Sequence, residues 1–303
     1  MKLNEAGILG SGKMPLDCAK ILLARGKKIN FILETEKIVF SSLKYFCDKN
    51  RINYRNTSNK ETTEYLRSLD RALVLFSINN NYIFPPDIVR QKKFRIINFH
   101  NSVLPSYKGH GQIIPSWVIY NGEKKHGVTW HLVDEDIDTG NILCQDEFDL
   151  IDRETAITLS LRCIECGITI FRENLDIFFD LKKHGIPQTD KEDCIYISPQ
   201  KYKVYRKSDI PNAGYMDISW DYSHCSRFLR SLDYHPFAVL PFPKIILKNV
   251  EYMIIRYYIE SKGCEDKGSK LIKRGSEENI AEFIIEYDEG YIRLYLSKVE
   301  KGG

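Results

Sequence analysis

Short apolar runs divide the first half of the chain into regularly spaced segments. Four of these runs have the length and residue types of β-strands: Ala6 to Leu9, Lys28 to Leu33, Ala72 to Phe76 and Phe94 to Phe99. Two more runs of strand character follow at Gly127 to Leu132 and at Ile142 to Leu150. We therefore expect a β-sheet built from these runs.

Apolar residues at helical spacing lie between and after the predicted strands. Pro85-Pro86 suits the start of a short helix, and longer helices are predicted at Leu16 to Ala24, Ile38 to Lys49, Gln112 to Tyr120 and, as one element, Arg153 to Phe179. Strands that alternate with helices are typical of a parallel sheet with helices on both faces. The predicted fold class is α/β, with a doubly wound, mostly parallel sheet.

The pattern changes beyond about Tyr202. An amphipathic helix around Cys225 to Leu232 precedes short β-like runs at Lys244 to Leu247, Glu251 to Ile259, Lys270 to Ile272, Glu282 to Tyr287 and Tyr291 to Leu296. Such runs, separated by glycine and charged turns, are typical of a small barrel or an open sheet. We predict two domains: an α/β domain at residues 1–198, and a C-terminal helix with a small, barrel-like β domain at residues 199–303.

Length and charge narrow the functional classes. The 303 residues can bury a sizeable core, and the formal net charge of +3 makes no case for a nucleic-acid partner. Residues Met1 to Glu5 lack the apolar core of a signal peptide, and Ala72 to Phe76 is too short to cross a bilayer. We expect a soluble, cytoplasmic protein with no membrane partner.

Eight cysteines are scattered along the chain, which favours reduced thiols over disulfides. Cys163 and Cys166 have the spacing of a metal-binding pair. They lie inside a predicted helix, where residues three apart share a face, and no second pair or histidine cluster accompanies them. We interpret them as a buried structural pair and expect no metal.

Three polar side chains stand at or just beyond the ends of predicted strands. Asn98 and His100 close the strand at Phe94 to Phe99, and Asp138 follows the strand at Gly127 to Leu132. Each alone is often a turn former or an ordinary hydrogen-bonded group. Together, an amide donor, an imidazole and a carboxylate that converge on one cleft are suited to acyl-transfer chemistry.

Two motifs in the expected order carry a family resemblance. The segments Ile97 to Gly109 and His126 to Gly140 closely resemble the signature of the folate-dependent formyltransferases, in a layout closest to the sugar N-formyltransferases and the methionyl-tRNA formyltransferase superfamily. The resemblance covers residues up to about Lys183 and implies a Rossmann-like formyltransferase fold. It also implies an enzyme that uses 10-formyltetrahydrofolate as co-substrate and needs no metal.

The resemblance implies that Asn98, His100 and Asp138 form the catalytic set. When an amine attacks the formyl carbon, negative charge develops on the formyl oxygen, to which the Asn98 amide and a protonated His100 can donate. Asp138 would favour the imidazolium and accept the proton that the amine sheds. His131 would orient the carboxylate or border the folate.

The same resemblance places the pteridine between two loops. The cofactor-binding residues would be Asn79, Tyr82, Ile83 and Phe84 in one loop and Val133, Asp134 and Asp136 in the other. Residues of the acceptor site would be Gly10, Ser11, Gly12 and Lys13, whose backbone amides at a helix start favour phosphate, with Ser102 and Lys108. Ordinary turns remain the alternative for Asn80-Asn81 and for the glycine loop, and Ser102 and Lys108 would line the cleft or only shape their loop.

The motifs do not fix the acceptor. Added chain beyond a minimal catalytic domain favours a nucleotide-linked amino sugar, while Glu34-Thr35-Glu36-Lys37 replaces the basic insertion that the resemblance leads us to expect in tRNA-directed members. A carrier-bound aminoacyl group stays open. Hydrolysis of 10-formyltetrahydrofolate is the lesser alternative, because the resemblance leads us to expect an extra N-terminal domain in the hydrolases, whereas this chain begins at its first predicted strand. A non-enzymatic folate or sugar binder is a third alternative. The sequence also leaves a homodimer open.

Overall fold

A computed structural model describes residues 2–35, 40–188, 203–261, 272–275 and 280–299. The chain forms two compact units, the first made of Met1–Gln112, Lys125–Asp149 and Leu161–Tyr205, the second of Ile113–Lys124, Leu150–Ser160 and Arg206–Gly303. The predicted domain boundary after residue 198 lies outside the described residues and stays a prediction.

The first unit is built on a mostly parallel sheet. Its strands are β1 (Glu5–Gly10), β2 (Lys28–Glu34), β3 (Asn53–Asn56), β4 (Leu73–Ile78), β5 (Phe94–His100), β6 (Lys108–Gly109), β7 (Lys125–Leu132), β8 (Ile142–Asp149) and β9 (Val204–Tyr205). Among the described residues, seven of them pair in the order β3-β2-β1-β4-β5-β7-β8, and β6 pairs separately with β9. The ladders from β3 to β5 are parallel, whereas β7 and β8 are antiparallel to their neighbours.

This order is that of a doubly wound sheet whose direction of winding reverses between β1 and β4. Ligands of such folds bind beyond the carboxyl ends of the strands near that point. Every residue of β4 is buried, as expected for a central strand covered on both faces. The α/β fold class is therefore confirmed, and the polar groups at the ends of β4 and β5 lie at the edge where a ligand is expected.

The helices in the described residues are α1 (Lys13–Ala24), α2 (Ser42–Asn50), α3 (Asn59–Ser68), α4 (Pro86–Val89), α5 (Ile114–Tyr120), α6 (Ala156–Glu173), α7 (Leu175–Phe179) and α8 (Tyr222–Ser231). No helix of this part of the chain combines the length and apolar character needed to span a bilayer. Cys163 is buried within α6 and Cys166 is half-buried, with its thiol 3.6 Å from the Asp146 carboxylate.

Two predictions for the helices were wrong in part. The single long helix breaks into α6 and α7 at Asn174, whose side-chain amide donates to the Ile170 carbonyl at 2.9 Å and competes with the helical pattern. The helix predicted from Ile38 begins at Ser42 after a Ser41 N-cap. Residues 36–39 lie outside the described residues, and they include part of the Glu34 to Lys37 segment on which the argument against a tRNA acceptor rests.

Strand β3 and helix α3 were not predicted. Strand β3 has the polar sequence NYRN and lies at the sheet edge, and only Thr62 and Leu66 of α3 are buried. Their apolar pattern is therefore too weak to detect. The capping box formed by Ser58 and Glu61 is the signal that could have revealed α3.

The second unit contains an antiparallel-rich sheet. Its strands are β10 (Tyr215–Met216), β11 (Lys244–Leu247), β12 (Val250–Ser261), β13 (Ile272–Gly275), β14 (Ile280–Glu286) and β15 (Gly290–Lys298). The described strands pair in the order β10-β11-β12-β15-β14-β13, which is an open sheet rather than a closed barrel. Helix α8 packs Phe228 and Leu229 into the core of this unit. Of the run predicted at Lys270 to Ile272, only Ile272 lies among the described residues.

Aromatic packing around Phe76 forms the centre of the first unit. The ring of Phe76 lies 5.1 Å from that of Phe171, 5.8 Å from Phe178 and 6.2 Å from Trp130, all in edge-on geometry. All four side chains are fully buried. These contacts hold β4 in place at the residue that precedes Ser77.

Truncating this central ring should destabilise the protein severely. We expect Phe76→Ala to lower the free energy of unfolding by about 3 to 5 kcal/mol, because a buried ring is lost and a cavity remains. Urea denaturation followed by circular dichroism would measure the change. Phe40→Ala is the matched control, since Phe40 is 95% exposed and its loss should leave stability within about 0.5 kcal/mol of wild type.

Candidate active site

Three polar side chains lie in register across the middle of the sheet. Ser77 of β4 pairs with Asn98 of β5, and Asn98 pairs with His131 of β7. The Ser77 hydroxyl donates to Asn98 Oδ1 at 2.8 Å, and Asn98 Nδ2 lies 3.1 Å from His131 Nε2. Sheet register alone therefore brings these three groups together.

His100 is the last residue of β5 and is only 3% exposed. Its Nε2 lies 2.8 Å from the Tyr107 carbonyl oxygen, and because a carbonyl only accepts, Nε2 carries a hydrogen and donates it. The other ring nitrogen, Nδ1, lies 3.5 Å from Asp138 Oδ2. The imidazole is thus held between a backbone acceptor and a carboxylate.

Asp138 lies between the two histidines in a left-handed backbone conformation, with φ of 54°. Its Oδ1 lies 3.5 Å from His131 Nε2, and its Oδ2 accepts the Gly109 backbone N–H at 2.8 Å. The Gln188 side-chain amide donates to the carbonyls of Asp138 and Gly140, each at 2.9 Å. Conformations of this kind cost free energy in a residue other than glycine, so they persist where neighbours fix them.

Burial and neighbouring groups shift the pKa values of His100 and Asp138. Burial lowers the pKa of His100 and outweighs the opposing effects of Asp138 and the Tyr107 carbonyl. Burial alone would raise the pKa of Asp138, but His100, His131 and the Gly109 N–H together hold it well below its usual value. Burial therefore opposes the imidazolium expected at His100, while the neighbours of Asp138 favour its ionised form; the role of a protonated His100 stays a prediction.

The structure brings Asn98, His100 and Asp138 together. The residues predicted to bind the cofactor differ in whether they are buried or exposed. Asn79 has a left-handed φ of 49°, while Tyr82 and Phe84 are buried in the core beside Leu9. Ile83, by contrast, is 76% exposed. In the second loop Val133 is half-buried, and Asp134 and Asp136 are exposed.

The predicted acceptor residues differ in their accessibility. Gly10 allows close packing, since a Cβ there would lie 2.1 Å from the Ile78 carbonyl oxygen, and Gly12 has a φ of 86°. Ser11 is half-buried, and the exposed Lys13 pairs with Asp17 at 2.5 Å. Ser102 is fully buried and donates to the Ser106 carbonyl, so it shapes its loop, whereas Lys108 is half-buried in β6.

Several groups that fix the site were missed from the sequence. They are the Tyr107 carbonyl, the Gly109 N–H, the Gln188 side chain and the Tyr205 backbone. The Tyr205 backbone packs so closely against Gly109 that a Cβ at Gly109 would lie 2.1 Å from the Tyr205 carbonyl oxygen. Backbone groups have no residue signature. Gln188 follows Asp138 by 50 residues in an unpatterned stretch, so no sequence signal could have found it.

Residues 27–175 match the Formyl transferase family. The resemblance of the two motifs to the folate-dependent formyltransferases is thereby confirmed. The matched segment contains Asn98, His100, His131 and Asp138, the four side chains that the structure brings together.

Three curated relatives show how far the similarity extends. ArnA, the bifunctional polymyxin resistance protein of Wigglesworthia glossinidia brevipalpis, is 28% identical over 201 residues, which are 65% of this chain but only 29% of ArnA. The methionyl-tRNA formyltransferase of Fusobacterium nucleatum is 26% identical over 276 residues, 84% of this chain and 81% of that protein. The GDP-perosamine N-formyltransferase of Brucella melitensis is 27% identical over 191 residues, 63% of this chain and 66% of that protein.

Solved structures with the same fold cover almost the whole chain. WlaRD, a sugar 3N-formyl transferase crystallised in the presence of dTDP and 5-N-formyl-THF, has a TM-score of 0.68 at 21% identity and covers 100% of both chains. The Helicobacter canadensis N-formyltransferase, crystallised with folinic acid and dTDP-3-aminofucose, has a TM-score of 0.68 at 18% identity, over 98% of this chain and 100% of that one. At these identities the likeness establishes the fold.

A buried histidine next to the site should make folding acid-sensitive. Burial lowers the pKa of His126 to about 3, against a hydrogen bond to the Asn101 backbone, and His126 Nε2 has no hydrogen-bond partner among the described residues. The unfolded chain binds this proton near the usual histidine pKa and the folded chain does not. Stability from His126 is therefore complete above that pKa and is lost as the pH falls toward the folded value.

We expect this group to cost about 2 kcal/mol of unfolding free energy between about pH 7 and about pH 5. His126→Asn, which keeps a donor for the Asn101 backbone, should remove that part of the pH dependence in urea denaturation. Exposed His235→Asn is the control and should retain the wild-type dependence. An unchanged slope in His126→Asn would show that the histidine is protonated in the folded state.

Proposed function

We propose that this protein is an N-formyltransferase that moves a formyl group from 10-formyltetrahydrofolate to the primary amine of a nucleotide-linked amino sugar. The observation that carries the proposal is the buried, ionised Asp138 between two histidines, beside the partly exposed amide of Asn98. An amide donor and a carboxylate proton acceptor are the two groups that acyl transfer to an amine requires.

The residues of the two loops fit a folate. Ile83 and Ile137 are exposed apolar side chains on the loops that follow β4 and β7, and the surface near Asp134 and Asp136 offers polar groups. Pockets for such ligands combine apolar walls with a few polar groups. Asn79, Ile83, Val133 and the backbone up to Asp138 would hold the pteridine, while buried Tyr82 and Phe84 would support the loop from beneath.

When bound, 10-formyltetrahydrofolate would supply the formyl group. The bond between the formyl carbon and the folate nitrogen would break as a bond to the acceptor nitrogen forms. The acceptor nitrogen would lose one proton and the folate nitrogen would gain one.

Each catalytic side chain has a role that follows from its hydrogen bonds. Asn98 Nδ2 has two hydrogens, of which one goes to His131, so the other can donate to the formyl oxygen. Asp138 is ionised and accepts the proton of the attacking amine. His100 Nδ1 lies 3.5 Å from Asp138 Oδ2, and we propose that this pair shares the accepted proton.

The relatives support a nucleotide-linked amino sugar as the acceptor. Two of the structures with this fold were crystallised with dTDP or a dTDP-linked amino sugar, and one curated relative is named for a GDP-linked amino sugar. The glycine loop at Gly10 to Gly12 precedes α1, a twelve-residue helix whose start suits a phosphate. These observations support a nucleotide-linked sugar over a carrier-bound aminoacyl group.

The decisive assay measures release of tetrahydrofolate from 10-formyltetrahydrofolate with and without a panel of nucleotide-linked amino sugars. Release that depends on one of these amines, with a formylated product in mass spectrometry, is the expected result. Release without any amine would identify a hydrolase instead. Release that depends only on a carrier-bound aminoacyl group or an aminoacyl-tRNA would keep the formyl transfer and reject the sugar.

Removal of either catalytic group should stop turnover while the fold persists. We expect His100→Ala and Asp138→Asn to lower kcat by about a hundredfold or more, because the proton acceptor is lost or uncharged. Binding of the folate, measured by calorimetry, should stay close to wild type in Asp138→Asn. His235→Ala, at an exposed position, is the control for both, and a well-folded His100→Ala variant with wild-type kcat would contradict the mechanism.

A further inference from the structure

A chain of hydrogen bonds crosses three strands behind the Asn98 amide. Asn80 Nδ2 lies 2.8 Å from Ser77 Oγ, Ser77 Oγ lies 2.8 Å from Asn98 Oδ1, and Asn98 Nδ2 lies 3.1 Å from His131 Nε2. Ser77 is 4% exposed, so the middle of the chain is shielded from water. We call these four side chains the amide relay.

The first end of the amide relay has a fixed direction. The Tyr82 backbone N–H donates to Asn80 Oδ1 at 2.8 Å, and since an N–H only donates, the other end of the Asn80 amide must be the nitrogen. Asn80 Nδ2 also donates to the Leu9 carbonyl at 3.3 Å. Ser77 therefore accepts from Asn80, and its single hydrogen is left to donate to Asn98 Oδ1.

The opposite end of the amide relay is compatible with the same direction. His131 Nδ1 lies 2.8 Å from the Leu132 carbonyl oxygen, which only accepts, so Nδ1 carries a hydrogen. In the tautomer with that single ring hydrogen, Nε2 accepts from Asn98 Nδ2 at 3.1 Å. The direction set at Asn80 thus requires that the oxygen of Asn98 faces Ser77 and that its nitrogen faces His131.

We infer that Ser77 is a positioning residue for the reaction. By donating to Asn98 Oδ1, it holds the carboxamide in the one orientation that leaves an Nδ2 hydrogen available to the formyl oxygen. In the reversed orientation, the Asn98 oxygen would face the lone pair of His131 and a developing negative charge. Asn80 sets the direction of the Ser77 hydroxyl from the loop that follows β4. This inference rests on the proposed formyl transfer.

Kinetic variants separate positioning from a general structural effect. We expect Ser77→Ala to lower kcat by about tenfold, less than the loss of a whole oxyanion donor, with the KM values for folate and amine unchanged. Ser77→Thr keeps the hydroxyl and should restore most of the rate. The double variant Ser77→Ala/Asn98→Ala should be no slower than Asn98→Ala alone, because Ser77 acts only through Asn98.

Two further variants control for folding. Ser231→Ala removes another buried hydroxyl, one that donates to the Phe228 carbonyl, and should leave kcat unchanged. Asn80→Asp keeps the size of the side chain and the acceptor for Tyr82, but places an oxygen before Ser77 that takes its hydrogen. It should therefore reproduce the loss of kcat in Ser77→Ala. Wild-type kcat in both Ser77→Ala and Asn80→Asp, or additive losses in the double variant, would overturn the inference.

A spectroscopic measurement keeps this test separate from that of the proposed function. The side-chain amide signals of Asn98 can be assigned in ¹⁵N spectra by their absence in Asn98→Ala. We expect two well-separated, slowly exchanging hydrogens in the wild-type protein, and averaged or faster-exchanging signals in Ser77→Ala. If the wild-type protein transfers no formyl group, this readout still decides on the amide relay, and unchanged Asn98 signals in Ser77→Ala would reject it.

Discussion

The need to stabilise a charge away from water governs the geometry of this site. An ionised carboxylate that is almost completely buried must find donors and cations nearby, or it becomes protonated. Asp138 finds them in the Gly109 N–H and in two imidazoles, each at 3.5 Å. These partners belong to separate parts of the first unit, so the loop after β5 and the loop after β7 must close on each other before the charge can exist.

Backbone carbonyls orient both histidines toward Asp138. Backbone carbonyls accept one hydrogen from each ring, at Tyr107 for His100 and at Leu132 for His131. The second nitrogen of each ring lies 3.5 Å from Asp138, and one amide hydrogen of Asn98 is left without a partner among the described residues. The site therefore combines a carboxylate with an amide donor, the two groups that the proposed formyl transfer to an amine uses.

The parts of this arrangement that the sequence predicted are those that follow from strand ends. Apolar runs located β4, β5 and β7, and with them Asn98 and His100 at the carboxyl end of β5. Because β7 is antiparallel to β5, the approach of Asp138 to His100 depends on the loop after β7 and not on strand direction. The protonation state of His100 could not be predicted, because it depends on how deeply the loop up to Tyr107 buries the ring. Backbone donors, the weakly apolar β3 and α3, and the distant Gln188 also leave no periodic signal, since their contacts are made in three dimensions only.

Gln188 and Tyr205 follow the segment that matches the family, yet they contact the backbone near Asp138 and Gly109. The family match ends at residue 175, yet the carbonyls on either side of Thr139 are held by Gln188, and the strand that carries Gly109 pairs with Val204–Tyr205. A fragment cut at the end of the family segment would keep Asn98, His100 and Asp138 and lose these restraints on the backbone near Asp138 and Gly109. Evolution can therefore tune the chemistry of this site from the chain that leads into the second unit, without altering either motif.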